Sequence, residues 1–226
     1  VSENLTITGF AAEGKAIARV GEMVLFLNYG APGDVVDVRI SKTKKNFLEG
    51  EILRIHKPSE DRTEPFCAHF GICGGCKWQH LGYDRQLHYK QQQVVDSLER
   101  IGRVKPGSFE LVPIAGTEHA TFYRNKLEFT FSNKRWLTRK DIDSGREFKD
   151  LDGLGFHIPG LYDKVLDIEK CWLQPEPSNS IRLAVKGFAK EKGLSFYNIK
   201  EDAGLLRNLI IRNSSTGEVM VSMIFG

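Results

Sequence analysis

Three of the four cysteines in this chain fall within ten residues, as C-x5-C-x2-C. The stretch runs Cys67-Ala68-His69-Phe70-Gly71-Ile72-Cys73-Gly74-Gly75-Cys76. The fourth, Cys171, lies 95 residues beyond Cys76. Four thiolates are a complete ligand set for one [4Fe-4S] cluster or for one zinc ion. Gly71, Gly74 and Gly75 allow tight bends around a compact inorganic core, and the freed N–H groups can face its sulfurs. Structural zinc commonly draws on two close cysteine pairs, whereas here there is one pair, one cysteine five residues upstream and one remote cysteine. That asymmetry ranks an iron–sulfur cluster first and a structural zinc second. Disulfides or free thiols come third, because nothing else in the chain has a secreted character.

The rest of the composition sets bounds. Of the 226 residues, 41% are hydrophobic and 27% charged, as in ordinary soluble domains. No apolar run is long enough to span a bilayer and no signal-peptide pattern opens the chain. A cytoplasmic, reducing location and a monomer without membrane partners are therefore expected. The net charge of +3 is too small to announce nucleic-acid binding by itself, so any such surface has to come from local clustering.

Taken in order, residues 1–58 read as five short strands with turns at Glu13-Gly14, Gly21-Glu22, 32–34 and 44–46, the pattern of a small OB-like barrel. Eight Lys/Arg against seven Asp/Glu leave this segment nearly neutral, and the one cluster is Lys42, Lys44 and Lys45. A solvated hairpin tip accounts for such a run as well as a nucleic-acid contact does. Phe10, Phe26, Tyr29 and Phe47 are candidates for stacking on bases, but in so small a barrel most are expected in the core. Residues 59–66 read as a polar, proline-bounded linker. Residues 67–226 read as an α+β domain with a mainly antiparallel sheet, helices and the cysteine site.

Within that domain a helix follows the cysteine loop, with Asp84 as N-cap and Gly102 past its end. Its face of Leu87, Val94, Val95, Leu98 and Ile101 is expected to pack on the sheet. Trp78 reads as a core lid over the cysteine site or, alternatively, as a platform for an unpaired base. Residues 123–132 form a half-buried strand, with Leu127, Phe129 and Phe131 inside. Arg124 and Lys126 share its polar face, within the basic stretch 122–140 of six Lys/Arg and one acid. Residues 137–150 read as a charged excursion without an assigned site. Strands at 154–158 and 164–168 lead to Cys171. A helix over 175–192 has the apolar face Ile181, Ala184, Val185 and Phe188 and stops at Gly193, and a hairpin of 206–213 with 218–225 ends the chain. His69 and His80 are candidate hydrogen-bond donors around the cysteines, and the other four histidines carry no signal.

The loop Cys-x-His-Phe-Gly-x-Cys-Gly-Gly-Cys, followed by Gln79-His80, resembles the cluster loop of the iron–sulfur RNA uracil-C5 methyltransferases. Among them, those that modify 23S ribosomal RNA are nearest in pattern. Tyr123-Arg124-Asn125-Lys126-Leu127-Glu128-Phe129, Gly155-Phe156-His157 and the segment 165–171 fall in the same order as in that family. Residues 1–58 are similar to its TRAM domain. The resemblance implies a [4Fe-4S] cluster on Cys67, Cys73, Cys76 and Cys171, and ribosomal RNA contacts at Lys42, Lys44, Lys45, Arg124 and Lys126.

It also implies an activity, transfer of a methyl group from S-adenosylmethionine to C5 of a uridine. Such enzymes add a cysteine thiolate at C6, then remove the C5 proton with a general base. All four cysteines here are already engaged as ligands, no Cys-Asn-Pro segment is present, and no glycine-rich loop opens a helix after a strand. The chain starts at Val1 and stops directly after a strand. It is therefore expected to be an N-terminal fragment without the catalytic domain, inactive alone. The competing reading is a non-enzymatic RNA-binding protein with a structural zinc site of four cysteines. An electron-transfer role is weaker, because nothing resembles a partner cofactor site.

Overall fold

Alternation of small and branched apolar residues drives residues 1–58 into strands, and the first of these closes the sheet on itself. A computed structural model describes all 226 residues. Its first sheet contains β1 (Ser2–Thr6), β2 (Gly9–Phe10), β3 (Ala16–Val20), β4 (Met23–Leu27), β5 (Val35–Thr43) and β6 (Phe47–Lys57), in the order β1-β5-β6-β4-β3-β2. The expected first strand is broken at Ile7 and Thr8. Its front half pairs with β5, Leu5 opposite Val36, and its back half with β3, Phe10 opposite Ala16. One segment thus serves both edges and completes a barrel, leaving no long open edge. Ile7, Ala16, Ala18, Leu25, Leu27, Val36, Val38 and Leu48 fill the interior.

The expected linker, 59–66, is tied to this barrel. Asp34 is fully buried and its carboxylate accepts four hydrogen bonds. Arg62 donates from Nε to Oδ1 (2.8 Å) and from Nη2 to Oδ2 (2.7 Å). The Ser59 N–H donates to Oδ1 (2.8 Å) and the Ala31 N–H to Oδ2 (2.7 Å). Burial alone would push the Asp34 carboxyl up, but the Arg62 and backbone donors outweigh it and hold the group below its usual range.

Helix α1 (Tyr83–Asp96) departs from expectation in its partner. The chain divides into one unit of Val1–Phe66 with Lys77–Glu118 and a second of Cys67–Cys76 with His119–Gly226. The first unit therefore includes α1, where packing on the central sheet is expected from the sequence. The reason lies just before the helix. Trp78 and Leu81 are buried with Ala31, and Phe10 and Tyr89 close over them. The Trp78 Nε1–H donates to the Gly14 carbonyl (3.0 Å), and the Trp78 and Phe10 ring centroids are 4.7 Å apart. Gly14 has φ +73°, and a Cβ there would lie 2.8 Å from Trp78 Nε1, so only glycine fits. Trp78 is core, but of the barrel unit. Gly82, not Asp84, is the N-cap of α1. The helix continues into a wide turn at Ser97–Ile101, and Gly102 keeps right-handed backbone angles instead of forming a left-handed stop.

The second unit is a five-stranded antiparallel sheet of β7 (Lys126–Ser132), β8 (Gly153–Ile158), β9 (Leu161–Asp167), β10 (Leu206–Asn213) and β11 (Val219–Phe225), ordered β11-β10-β7-β8-β9. Leu127, Phe129 and Phe131 point into its core with Leu154, Leu166, Leu209 and Ile211. At Gly155 a Cβ would fall 2.0 Å from the Leu166 carbonyl oxygen, so glycine lets β8 and β9 approach. Only α3 (Ser178–Glu191) packs on this core, since α2 (Arg139–Asp143) is a five-residue turn of helix. The unit is more sheet-dominated than the expected α+β domain. The inner face of α3 is also rotated from the expected one. Ile181, Val185 and Ala189 face the core, while Ala184 is exposed and Phe188 is 57% exposed. No helix in the molecule is long and apolar enough to cross a membrane.

The Asp34 anchor yields a pH prediction. A carboxylate with a lowered folded pKa stabilises fully above its unfolded value, near 3.9, and loses that contribution as pH falls through its folded value. Asp34→Asn should destabilise the barrel unit at pH 7 by about 3–5 kcal/mol, since it leaves Arg62 without its carboxylate. It should also flatten the acid side of the stability curve. Urea unfolding between neutral pH and pH 3 tests this; equal stability of variant and wild type at pH 7 would refute it.

Candidate metal centre and nucleic-acid interface

The cysteine loop folds as a run of tight turns. The Phe70 N–H donates to the Cys67 carbonyl (3.0 Å), and the Ile72 and Cys73 N–H groups donate to the His69 carbonyl (3.2 and 2.9 Å). Gly71 takes φ +85°. The Gly75 N–H points at the Cys73 sulfur, N to Sγ 3.4 Å. Cys73 and Cys76 pack half-buried against the core that contains Cys171, itself 8% exposed. All four cysteines are reduced, and they feel one another. Burial pushes the Cys73 thiol up to about 11, with the Gly75 N–H opposing and Cys76, Cys171 and Cys67 adding to the rise. Burial likewise raises Cys171, with Cys76 and Cys67 contributing. No three His, Cys, Asp or Glu side chains converge at metal-binding distance.

Cys171 is held from α3. Asn179 clasps its backbone in both directions. The Cys171 N–H donates to Asn179 Oδ1 (2.8 Å), and Asn179 Nδ2 donates to the Cys171 carbonyl (3.0 Å). One turn along the helix, Arg182 is fully buried. Its guanidinium donates to the Ile168 carbonyl, to the Glu169 carbonyl (2.9 Å) and weakly to Asn179 Oδ1 (3.5 Å). Its Nε has no acceptor. Burial pulls the Arg182 pKa below its ordinary value, against the fields of Asp167, Cys171 and Glu176. From the loop side, His69 Nε2 accepts the Glu169 N–H (3.0 Å). Burial lowers the His69 pKa and favours the neutral ring that this acceptor role needs. The loop and the Cys171 segment are thereby joined by a hydrogen bond from the Glu169 backbone to the His69 ring.

His80 does not share that role. It is buried in the barrel unit, Nε2 3.0 Å from the Gly30 carbonyl oxygen and edge-on to Tyr29. Sequence reasoning also passed over Asn179 and Arg182. The one available signal was a polar pair three residues apart on an otherwise apolar helix stripe.

The basic residues fall in two places. Lys42, at the end of β5, pairs loosely with Glu49 (3.7 Å), while Lys44 and Lys45 are exposed on the β5–β6 turn. Arg124 precedes β7 instead of lying within it. Its N–H donates to the Leu173 carbonyl (2.8 Å), and the Phe122 N–H to that of Trp172 (2.7 Å), so this segment runs beside the residues just after Cys171. The Arg124 side chain is exposed, and Lys126 is 3.7 Å from Glu128.

Residues 3–53 match the TRAM domain family. Over 214 residues, 95% of this chain, the sequence is 54% identical to a Bacteroides thetaiotaomicron protein described as an uncharacterized RNA methyltransferase. By sequence, this chain is similar to proteins described as RNA methyltransferases. A Porphyromonas gingivalis protein of the same description is 47% identical over 226 residues, and one from Chlorobaculum tepidum 42% over 224. The chain spans about half the length of these curated relatives, 47%, 48% and 46% respectively. The fold is similar to that of Pyrococcus abyssi tRNA (uracil-54, C5)-methyltransferase, solved with S-adenosyl-L-homocysteine. The TM-score is 0.64 at 25% identity, covering 98% of this chain and 46% of that one.

The clasp generates a prediction with an internal control. Asn179→Ala leaves the Cys171 N–H and carbonyl without partners and should destabilise the second unit by about 1–3 kcal/mol. Gly187→Ala, on the open side of the same helix with nothing within 4 Å of the added Cβ, should be neutral or stabilise by about 0.5–1 kcal/mol. Chemical denaturation of both variants under reducing conditions checks this. Equal stability of the two would mean that Asn179 is dispensable.

Proposed function

We propose that these residues form the RNA-recognition and iron–sulfur portion of an S-adenosylmethionine-dependent methyltransferase acting at C5 of a uridine, with 23S ribosomal RNA as target. The observation that carries the reading is the packing of the cysteine loop, through Cys73 and Cys76, against the core that holds Cys171, with the buried Arg182 beside Cys171, in a chain that also holds a TRAM-like barrel.

The donor set fits a [4Fe-4S] cluster. Cys67, Cys73, Cys76 and Cys171 are soft thiol donors with no disulfide between them, and the Gly75 N–H faces one sulfur. Arg182 places a positive charge, bonded only to neutral oxygens, next to the Cys171 segment. Such a charge suits a site whose thiolates carry net negative charge. Bound there, the cluster would supply a crosslink between the loop and a segment 95 residues on, closing a long chain loop.

S-adenosylmethionine would supply the methyl group. Neither unit presents a glycine turn between a parallel strand and a helix, the usual seat for such a cofactor, so binding and positioning are the roles assigned to these residues. Lys44 and Lys45 would meet the phosphate backbone from the barrel hairpin. Lys42 would join them with its charge partly offset by Glu49. Arg124, fixed by its backbone bond to Leu173, would hold RNA beside the cysteine site. The polar tip and closed barrel are the architecture by which OB-like modules bind single strands.

RNA binding is tested by salt titration. The chain should bind single-stranded or looped 23S fragments with an affinity that falls steeply with salt. A Lys44→Ala/Lys45→Ala variant should bind all sequences more weakly and show a shallower slope, reduced by roughly one unit per lost phosphate contact. Wild-type affinity of this variant at every salt concentration would remove the barrel from the interface.

A further inference from the structure

The charged excursion between β7 and β8, which carries no role in the reading above, builds one wall of a cavity. The cavity encloses about 400 Å³, within the range that holds one small ligand. We propose that it is a subsite for a single unpaired nucleotide of the bound RNA, a proposal that rests on the RNA-binding reading.

Four features give it that character. First, its aromatic surface comes from Trp136 and Phe148, both half-buried. Base faces stack on such rings without regard to sequence. Second, the Arg135 guanidinium lies over Phe148, 5.0 Å from the ring centroid, and its Nε and Nη2 are buried without a hydrogen-bond acceptor. The nearest carboxylate, Asp141, is 4.0 Å from Nη2 and already accepts from the Thr138 N–H (2.8 Å) and hydroxyl (2.8 Å). Two donors of a planar fork are thus left unmet just behind this wall of the cavity.

Third, Lys140 and Arg146 are exposed at the rim and neither has an acid partner within 4 Å, which suits the flanking phosphates. The rim also carries the exposed acid Glu169, while Asp167 in the lining is bound by Lys186. This mixed charge disfavours a continuous phosphate groove and favours one nucleotide with its base inside. Fourth, the walls are fixed. The Arg135 N–H donates to the Leu151 carbonyl (2.7 Å) and the Trp136 N–H to that of Val165 (2.8 Å). The excursion is closed by the Thr138–Asp141 capping box.

The test is ultraviolet crosslinking of the 226-residue chain to a single-stranded RNA carrying 5-bromouridine, mapped by mass spectrometry, with affinities measured in parallel for Lys140→Glu/Arg146→Glu. The proposal expects a crosslink within residues 136–148. It also expects a loss of single-strand affinity of about three- to tenfold in the double variant, whose residues are surface-exposed and outside the core. RNA that binds wild-type chain with normal salt dependence, gives no crosslink in 136–148 and binds the double variant equally well would overturn the subsite and leave the RNA reading standing. Absence of RNA binding to the wild-type chain at any salt concentration would overturn both.

Discussion

A buried guanidinium with no carboxylate against it is the constraint on which the second unit turns. Arg182 is shielded from water, and its acceptors are the Ile168 and Glu169 carbonyls and an amide oxygen. Burying a cation is expensive unless its donors are met and its charge is offset. The hydrogen bonds meet most of the donors. The acid nearest in chemistry, Asp167, is itself paired with Lys186 and with the Leu154 N–H. The fields of Asp167, Cys171 and Glu176 offset part of the charge at a distance. Burial raises the Cys73 thiol and lowers the Arg182 guanidinium, so each group is pushed towards its neutral form by the same dry surroundings.

The same clasp fixes the backbone around Cys171. Asn179 holds both backbone groups of Cys171, Arg182 holds the two carbonyls at 168 and 169, and His69 takes the N–H of Glu169. Five backbone groups ahead of and at the ligand are thus fixed by side chains. The backbone around Cys171 is thus fixed in direction by side chains of α3 and of the cysteine loop. Arg124, bonded through its N–H to Leu173, is carried on the far side of the same segment. The exposed Arg124 and the buried Cys171 are thereby fixed to one stretch of backbone.

Strand content was legible wherever one face is apolar and the other polar. Leu127, Phe129 and Phe131 alternate with polar neighbours and are buried as the period-two rule requires. The barrel strands were equally readable from alternation and spacing. Partners were not. The α1 face says that something covers it, and nothing in the sequence says that Trp78 and Leu81 tie its start to Phe10 and Ala31. The face of α3 was misjudged because Ser178 and Arg182, polar by type, take inner positions, turning Phe188 outward. Buried polar networks invert the hydrophobic pattern locally, so Asn179 and Arg182 stayed invisible to a reading built on apolar periodicity. Lys44 and Lys45 read identically as solvated tip or RNA contact, since both uses require exposure.

Whether the four cysteines hold one iron–sulfur cluster decides the rest, and metal analysis of the chain purified without air answers it. The protein should be brown, with iron and acid-labile sulfide in equal amounts, about four of each per chain, and little zinc. Cys171→Ala should lose that iron. A colourless chain carrying one zinc, or an iron content unchanged in Cys171→Ala, would contradict the cluster assignment.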